Sequence, residues 1–186
     1  MTGREGDKCL IEFKQVSKSF GMVRAIQDLN LVFKTGRIIG LFGPNGAGKS
    51  TTLKLAAGLS RPDRGEIAVD GLPPYRCKEK VTFLPEVDHL YSWMTLKQAA
   101  EFIEAFFPDW DNHKYQELLK FLNLHEDMQL SRISKGQRAK CKLLLAVSRR
   151  APYLFLDEPL SGIDVLTRDQ IIQTLIRDFR EREQTI

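Results

Sequence analysis

Read for hydrophobic period alone, the chain divides into stretches of different rhythm. Residues 9–20, CLIEFKQVSKSF, alternate loosely. Residues 29–33, LNLVF, alternate cleanly and put Leu29, Leu31 and Phe33 on one face. Both predict half-buried strands. After a turn at KTG (34–36) comes a nearly continuous apolar run, RIIGLFG (37–43), which predicts a strand buried on both faces. A helix is expected from Lys49 to near Gly58. Further strands are expected in GEIAVDG (65–71) and KVTFLP (80–85), each bounded by turn residues.

From about residue 88 to 150 the period becomes helical. Thr95 and Gln98 stand at capping-box spacing, and Leu96, Ala99, Ile103 and Phe106 recur on one face. Asp111 opens a second helix with Tyr115, Leu118, Leu119 and Leu122. RISKGQRAK (132–140) starts a third, with Ser134 as cap and Ala139, Leu143 and Val147 along it. PYLFLDEP (152–159) returns to a buried strand, a last helix spans about 165–182, and Gln184, Thr185 and Ile186 read like the start of another strand.

Composition narrows this picture. At 186 residues and 42% hydrophobic, the chain can bury one ordinary core. Its mean hydropathy of -0.27 is too polar for a membrane-embedded protein. Its apolar runs, such as Leu143 to Val147, fall far short of the roughly 20 residues that span a bilayer. The first residues are polar and carry no secretory pattern. Cys9, Cys77 and Cys141 form no CxxC pair, which argues for reduced thiols in a cytoplasmic setting and against a metal or disulfide framework. The net charge of +4 and pI of 9.0 fit a solvated basic surface, nucleic acid or an anionic membrane face, and charge alone does not choose.

The chemistry is concentrated in two places. GPNGAGKST (43–51) follows the apolar run and opens a helix, matching G-x-x-x-x-G-K-[ST] with Gly43, Gly48, Lys49 and Ser50 in the fixed positions. Between them, Pro44, Asn45, Gly46 and Ala47 complete a loop whose backbone N–H groups can turn toward phosphate oxygens, reinforced by the helix N-terminus. Lys49 is expected to reach the β- and γ-phosphates, Ser50 Oγ to bind Mg²⁺, and Thr51 to meet the α-phosphate. The loop indicates a nucleoside triphosphate without saying which machine uses it. The second place is YLFLDEP, where Asp157 ends an apolar strand and is suited to hold Mg²⁺ through its water shell. Glu158, one residue on, is suited to orient or deprotonate an attacking water.

In combination these motifs resemble the nucleotide-binding subunit of ABC transporters over essentially the whole chain. The phosphate loop is GPNGAGKST, the signature resembles LSGGQ as ISKGQ (133–137), the Walker B strand is LFLDE, and the D-loop is LSGID (160–164). The resemblance implies an α/β fold: a P-loop NTPase core with a mainly parallel sheet, an N-terminal antiparallel β subdomain and an inserted α-helical subdomain. The implied division is 1–87, 88–150 and 151–186, with the C-terminal part of the cassette missing. It further implies an ATP-hydrolysing subunit that pairs head to tail with a second nucleotide-binding subunit and drives separate transmembrane permease subunits from the inner face of the cell membrane. Phe20 in SKSFG would stack on adenine. Ser134 Oγ and the N–H of Gly136 would meet the γ-phosphate held by the partner, Gln137 would lie near the partner's ribose, and Asp164 would bridge to the partner's phosphate loop.

Two residues depart from the family pattern, and one is not matched. Lys135 stands where the signature has Gly. Glu86, in FLPEVDHLY, stands where the Q-loop has Gln; it can still ligate Mg²⁺ through oxygen but adds negative charge beside phosphates. The switch histidine is unmatched, because His89, His113 and His125 all precede Walker B, and the chain is expected to be a fragment. Two other readings stay open: a soluble ABC-type ATPase acting on nucleic acid or ribosomes, and a module that binds ATP without turnover. The short, compact interval between Q-loop and signature argues against the first, so nucleic acid is not expected as a partner; the retained Glu158 argues against the second. FFPDWD and SKGQ lean toward export.

Overall fold

A computed structural model describes residues 9–34, 36–182 and 185–186 of the chain, with the side chains of 9, 10 and 177–182 outside that description. The alternating N-terminal stretches form an antiparallel sheet. Strand β1 (Cys9–Phe20) lies between β2 (Val23–Lys34) and β3 (Arg64–Val69). In β2 the predicted face holds: Leu29, Leu31 and Phe33 are half-buried, while Asn30, Val32 and Lys34 are exposed. Phe13 packs edge-on against Phe33, with ring centroids 6.3 Å apart. Helix α1 (Lys49–Ala56) closes over this sheet through the buried Leu55 and Ala56, making a first core with Ile11, Val16, Ile67 and Val69.

The second core is helical. Helices α2 (Leu96–Phe106), α3 (Asn112–Phe121) and α4 (Lys135–Val147) pack around Leu96, Leu118, Leu130 and Leu144. Each such buried Leu stabilises the fold by about 1.5–3 kcal/mol. The capping chemistry falls as the spacing predicts. Thr95 and Gln98 complete a capping box at α2, and Asp111 accepts from the Lys114 amide at α3. Tyr115, Leu118, Leu119 and Leu122 are all buried. Phe106 is not: it is 67% exposed, and Ala100 takes the buried place on α2. The helix lies at the surface, and its outer rings form an aromatic strip in which Phe102 meets Phe106 at 5.0 Å and Tyr91 at 6.2 Å.

Strands β4 (Val81–Leu84) and β5 (Tyr153–Leu156) pair in parallel and join the two cores. Beyond them α5 spans Val165–Arg182. The expected strand at 37–43 is not formed. Ile39 and Leu41 are half-buried, but Arg37, Ile38, Gly40 and Phe42 are exposed. Among the described residues, only the first part of the run finds ladder-like bonds, both with Ile186: the Ile39 N–H donates to the Ile186 carbonyl and the Ile186 N–H to the Arg37 carbonyl. An apolar run is buried on both faces only where strands flank it and helices cover it. Among the described residues, nothing continues that pairing past Ile39. Thr185 bridges in parallel to Tyr153, so residues 185–186 lie between β5 and the 37–39 segment, in keeping with the strand-like start read at the end of the sequence. Gln184 lies outside the described residues. Among the described residues, no helix is long and apolar enough to cross a membrane. Cys77 and Cys141 are buried free thiols, and burial pushes the Cys141 thiol up to about 12.

Candidate functional site

The phosphate loop is set by its own glycine. Gly48 adopts φ +87° at the start of α1, and a Cβ there would lie 2.5 Å from the Ala25 carbonyl oxygen. Only glycine is at ease in that backbone with that neighbour. Among the described residues no side chain caps this helix, so the N–H groups of its first turn remain available to a ligand. Lys49 folds back over the loop, its Nζ donating to the carbonyls of Gly43 (2.9 Å) and Pro44 (3.1 Å).

The acidic strand end meets this loop. Ser50 Oγ donates to Asp157 Oδ1 at 2.8 Å, joining residues 107 apart in sequence, and Asp157 is only 5% exposed. The Asp157 amide donates to the Leu84 carbonyl, so the β4–β5 ladder itself fixes the carboxylate. Glu158 follows with φ +53°, a left-handed conformation for a residue with a side chain, and it is exposed. Strain of this kind is held only where the surroundings over-determine it. The hydroxyl of Ser50 and the carboxylate of Asp157 are hard oxygen donors at touching distance, a set that suits Mg²⁺.

Two cavities adjoin here and share Glu158 and Pro159. The larger, about 610 Å³, is lined by Asn45, Lys49, Asp157 and Glu158 beside the apolar Ile39, Leu41 and Phe42. The smaller, about 230 Å³, is lined by Glu86, Lys135, Arg138, Lys142 and Glu158. Glu86 therefore shares a cavity with Glu158, and it does not line the cavity of Lys49 and Asp157. The two departures from the family pattern, Glu86 and Lys135, face the same smaller cavity. The Lys135 stem also lies along the backbone of Gly162 in the 160–164 loop.

The remaining candidates lie outside both cavities. Phe20 ends β1 and is 54% exposed. Pro44, Gly46 and Ala47 are exposed on the loop, and Thr51 is half-buried in the first turn of α1. At α4, Ser134 Oγ accepts from the Gln137 N–H (3.1 Å) while Gln137 Oε1 accepts from the Ser134 N–H (2.9 Å), a closed capping box. Gly136 sits close enough to the 160–164 loop that a Cβ would lie 3.1 Å from the Gly162 carbonyl oxygen. Asp164 caps α5, accepting from the Thr167 N–H at 2.9 Å, and that amide holds its carboxyl below the usual carboxylate range.

Sequence reasoning missed the clasp that fixes the 85–90 loop. Lys142 Nζ donates to three successive carbonyls, those of Pro85 (2.7 Å), Glu86 (2.8 Å) and Val87 (3.0 Å). One turn earlier Arg138 pairs with Asp88 and donates to the carbonyls of Leu90 and Leu130. Burial draws the Lys142 amine below its ordinary value. The available signal was a single lysine beside the apolar stretch Leu143 to Val147, a place where a cation needs partners.

Comparison with known proteins identifies the family. The ABC transporter family matches residues 26–161. The chain is 29% identical over 180 residues to the ABC transporter ATP-binding protein YtrB of Bacillus subtilis, covering 95% of this chain and 62% of that protein. It is 32% identical to the zinc import ATP-binding protein ZnuC of Rickettsia conorii, covering 90% of this chain and 70% of that protein. It is also 32% identical to the lipopolysaccharide export system ATP-binding protein LptB of Acidithiobacillus ferridurans, covering 93% and 76%. The chain thus spans about three-fifths to three-quarters of the length of these relatives. Among solved structures it superposes on an ATP-binding subunit of an ABC transporter at TM-score 0.82 and 26% identity, covering 95% of this chain and 77% of that one. A dimeric ATP-binding cassette in a post-hydrolysis state bound to ADP and Pi shares the fold at TM-score 0.85 and 23% identity, covering 95% and 85%. The chain belongs to the ABC transporter family, as an ATP-binding subunit.

Proposed function

We propose that this ABC cassette binds ATP on residues 43–51 and hydrolyses it, as one half of a head-to-tail pair that drives membrane permease subunits from the cytoplasmic side. The observation that carries the reading is the 2.8 Å contact between Ser50 and Asp157, which brings the phosphate-loop helix and the acidic strand end together with Glu158 beside them. In the proposed reaction Lys49 leaves the Gly43 and Pro44 carbonyls for the β- and γ-phosphate oxygens. Ser50 and Asp157 hold Mg²⁺, which when bound offsets the charge of the triphosphate. Glu158 takes the proton of the attacking water, and Glu86, which shares a cavity with it, adds a second carboxylate there. Ser134 accepts one hydrogen bond as a cap and still owns an O–H to donate, so it can serve a phosphate held by the partner without losing its cap. Gly136, Gln137 and Asp164 would complete that shared face.

The aromatic strip of Tyr91, Trp93, Phe102 and Phe106 adjoins the 85–90 loop with each ring at least 45% exposed, which supports it as the face for a membrane subunit. Relatives named for zinc import and for lipopolysaccharide export match at the same 32% identity, so the proposal is the engine common to both. Steady-state MgATP hydrolysis with Glu158→Gln as the blank tests it. Turnover should fall by about 10²–10⁴-fold in the variant while MgATP binding persists. Equal rates in both proteins would reject Glu158 as the base.

A further inference from the structure

Phe20, the ring read as the adenine stacker, has a support that begins in the segment leaving the C-terminus of α1. After α1 the chain stays tied to its last turn, with the Leu59 and Ser60 amides both donating to the Lys54 carbonyl. Pro62 then leads into Asp63, which docks on the end of β1 through three bonds. Its N–H donates to the Ser17 carbonyl (2.9 Å). Its carboxylate accepts from the Ser19 N–H at one oxygen and from Lys18 Nζ at the other, each at 2.7 Å. The Lys18 amine so held stands 5.4 Å from the centroid of the Phe20 ring, and the Lys18 side chain is mostly buried. A cation at that range attracts the ring face. More than half of Phe20 stays exposed, leaving the ring able to receive a base.

We propose that Asp63 is a positioning residue for the base of ATP: by gripping Lys18 and the Ser19 amide it holds the Phe20 ring at a set place relative to the phosphate loop. The inference rests on reading Phe20 as the adenine-stacking ring. A ring at a strand end is free to change rotamer, and ordering it at the moment of binding weakens affinity. A tether fixed beforehand removes that loss. Because Asp63 is carried on the segment leaving α1, base platform and phosphate helix are connected by a short, proline-stiffened path.

The test separates base from phosphate. Equilibrium titrations of the unaltered chain, Asp63→Ala, Asp63→Asn and Phe20→Ala are made with ATP and with inorganic tripolyphosphate, both with Mg²⁺, after thermal melts confirm folding. Asp63→Ala should weaken ATP about fivefold, Asp63→Asn less, and tripolyphosphate should bind all four proteins alike. Equal weakening of ATP and tripolyphosphate by Asp63→Ala would overturn the proposal, since Asp63 would then only maintain the fold. So would unchanged ATP affinity in Asp63→Ala when Phe20→Ala is impaired. Unchanged ATP affinity in Phe20→Ala would instead reject the base-stacking reading beneath it, and the proposal with it.

Discussion

Two helix starts in this protein look alike in sequence and differ in physical state. At α1 the start is Gly48, in left-handed backbone with no side-chain cap among the described residues. At α4 it is Ser134, locked with Gln137 in a reciprocal capping box. The first helix leaves its terminal N–H groups for something from outside. The second satisfies two donors from within, and its next turns grip their own chain through Arg138 and Lys142. An open helix start leaves its amides and its partial positive charge free to favour an anion. A capped one contributes only what its cap leaves over, here the Ser134 hydroxyl hydrogen and the remaining first-turn amides.

The contrast can be broken in four places. The largest effect is expected at Gly48, where Ala must adopt φ +87° and press on the Ala25 carbonyl. Urea melts should show a loss of about 3 kcal/mol. Gly136→Ala, in a normal helical backbone 3.1 Å from the Gly162 carbonyl, should stay within about 1 kcal/mol of the unaltered chain. Equal losses at the two glycines would erase the difference between the helix starts.

Next comes Lys49→Ala, which removes a cation folded over the loop. ATP affinity should fall about thirtyfold, near 2 kcal/mol, with melting unchanged. At the other start, Ser134→Ala removes the cap and should lower stability by about 1 kcal/mol. Ser134→Asp keeps an accepting oxygen and should restore that stability. It removes the hydroxyl hydrogen and adds charge, so turnover should stay low. Full turnover in Ser134→Asp would mean that α4 is only a capped helix.

The smallest effect is expected at Lys142→Met. The carbonyls of residues 85–87 lose their donor but remain near solvent, so stability should drop by no more than about 1 kcal/mol. Limited proteolysis should then cut within residues 85–90 sooner than in the unaltered chain. An unchanged cutting rate would show that the clasp does not hold the loop.

The caps at Thr95, Asp111 and Ser134 were legible because each is a bond between residues three apart on one turn. The glycine-rich turn that opens α1 was legible for the same reason, since it is built from contiguous backbone. So were the strands whose two faces differ, such as β2. The run at 37–43 misled because apolar character states that a segment is fit for burial and says nothing about whether neighbours arrive to bury it. Phe106 misled likewise: its spacing suits the core, yet the turn that carries it lies at the surface.

The sequence by itself therefore determined the local devices: the helices, the strands whose two faces differ, the places where helices are capped, and the glycine-rich turn that opens α1. Only the tertiary structure decided that Ser50 touches Asp157, that Lys142 closes over residues 85–87, that Glu86 and Lys135 share a cavity with Glu158, and that Asp63 reaches Lys18 and Ser19. The reason is one of range. A cap or a loop is fixed by the torsions of a few adjacent residues. A contact between residues 40 or 100 positions apart is fixed by the whole path of the chain between them and by the packing of two separate cores.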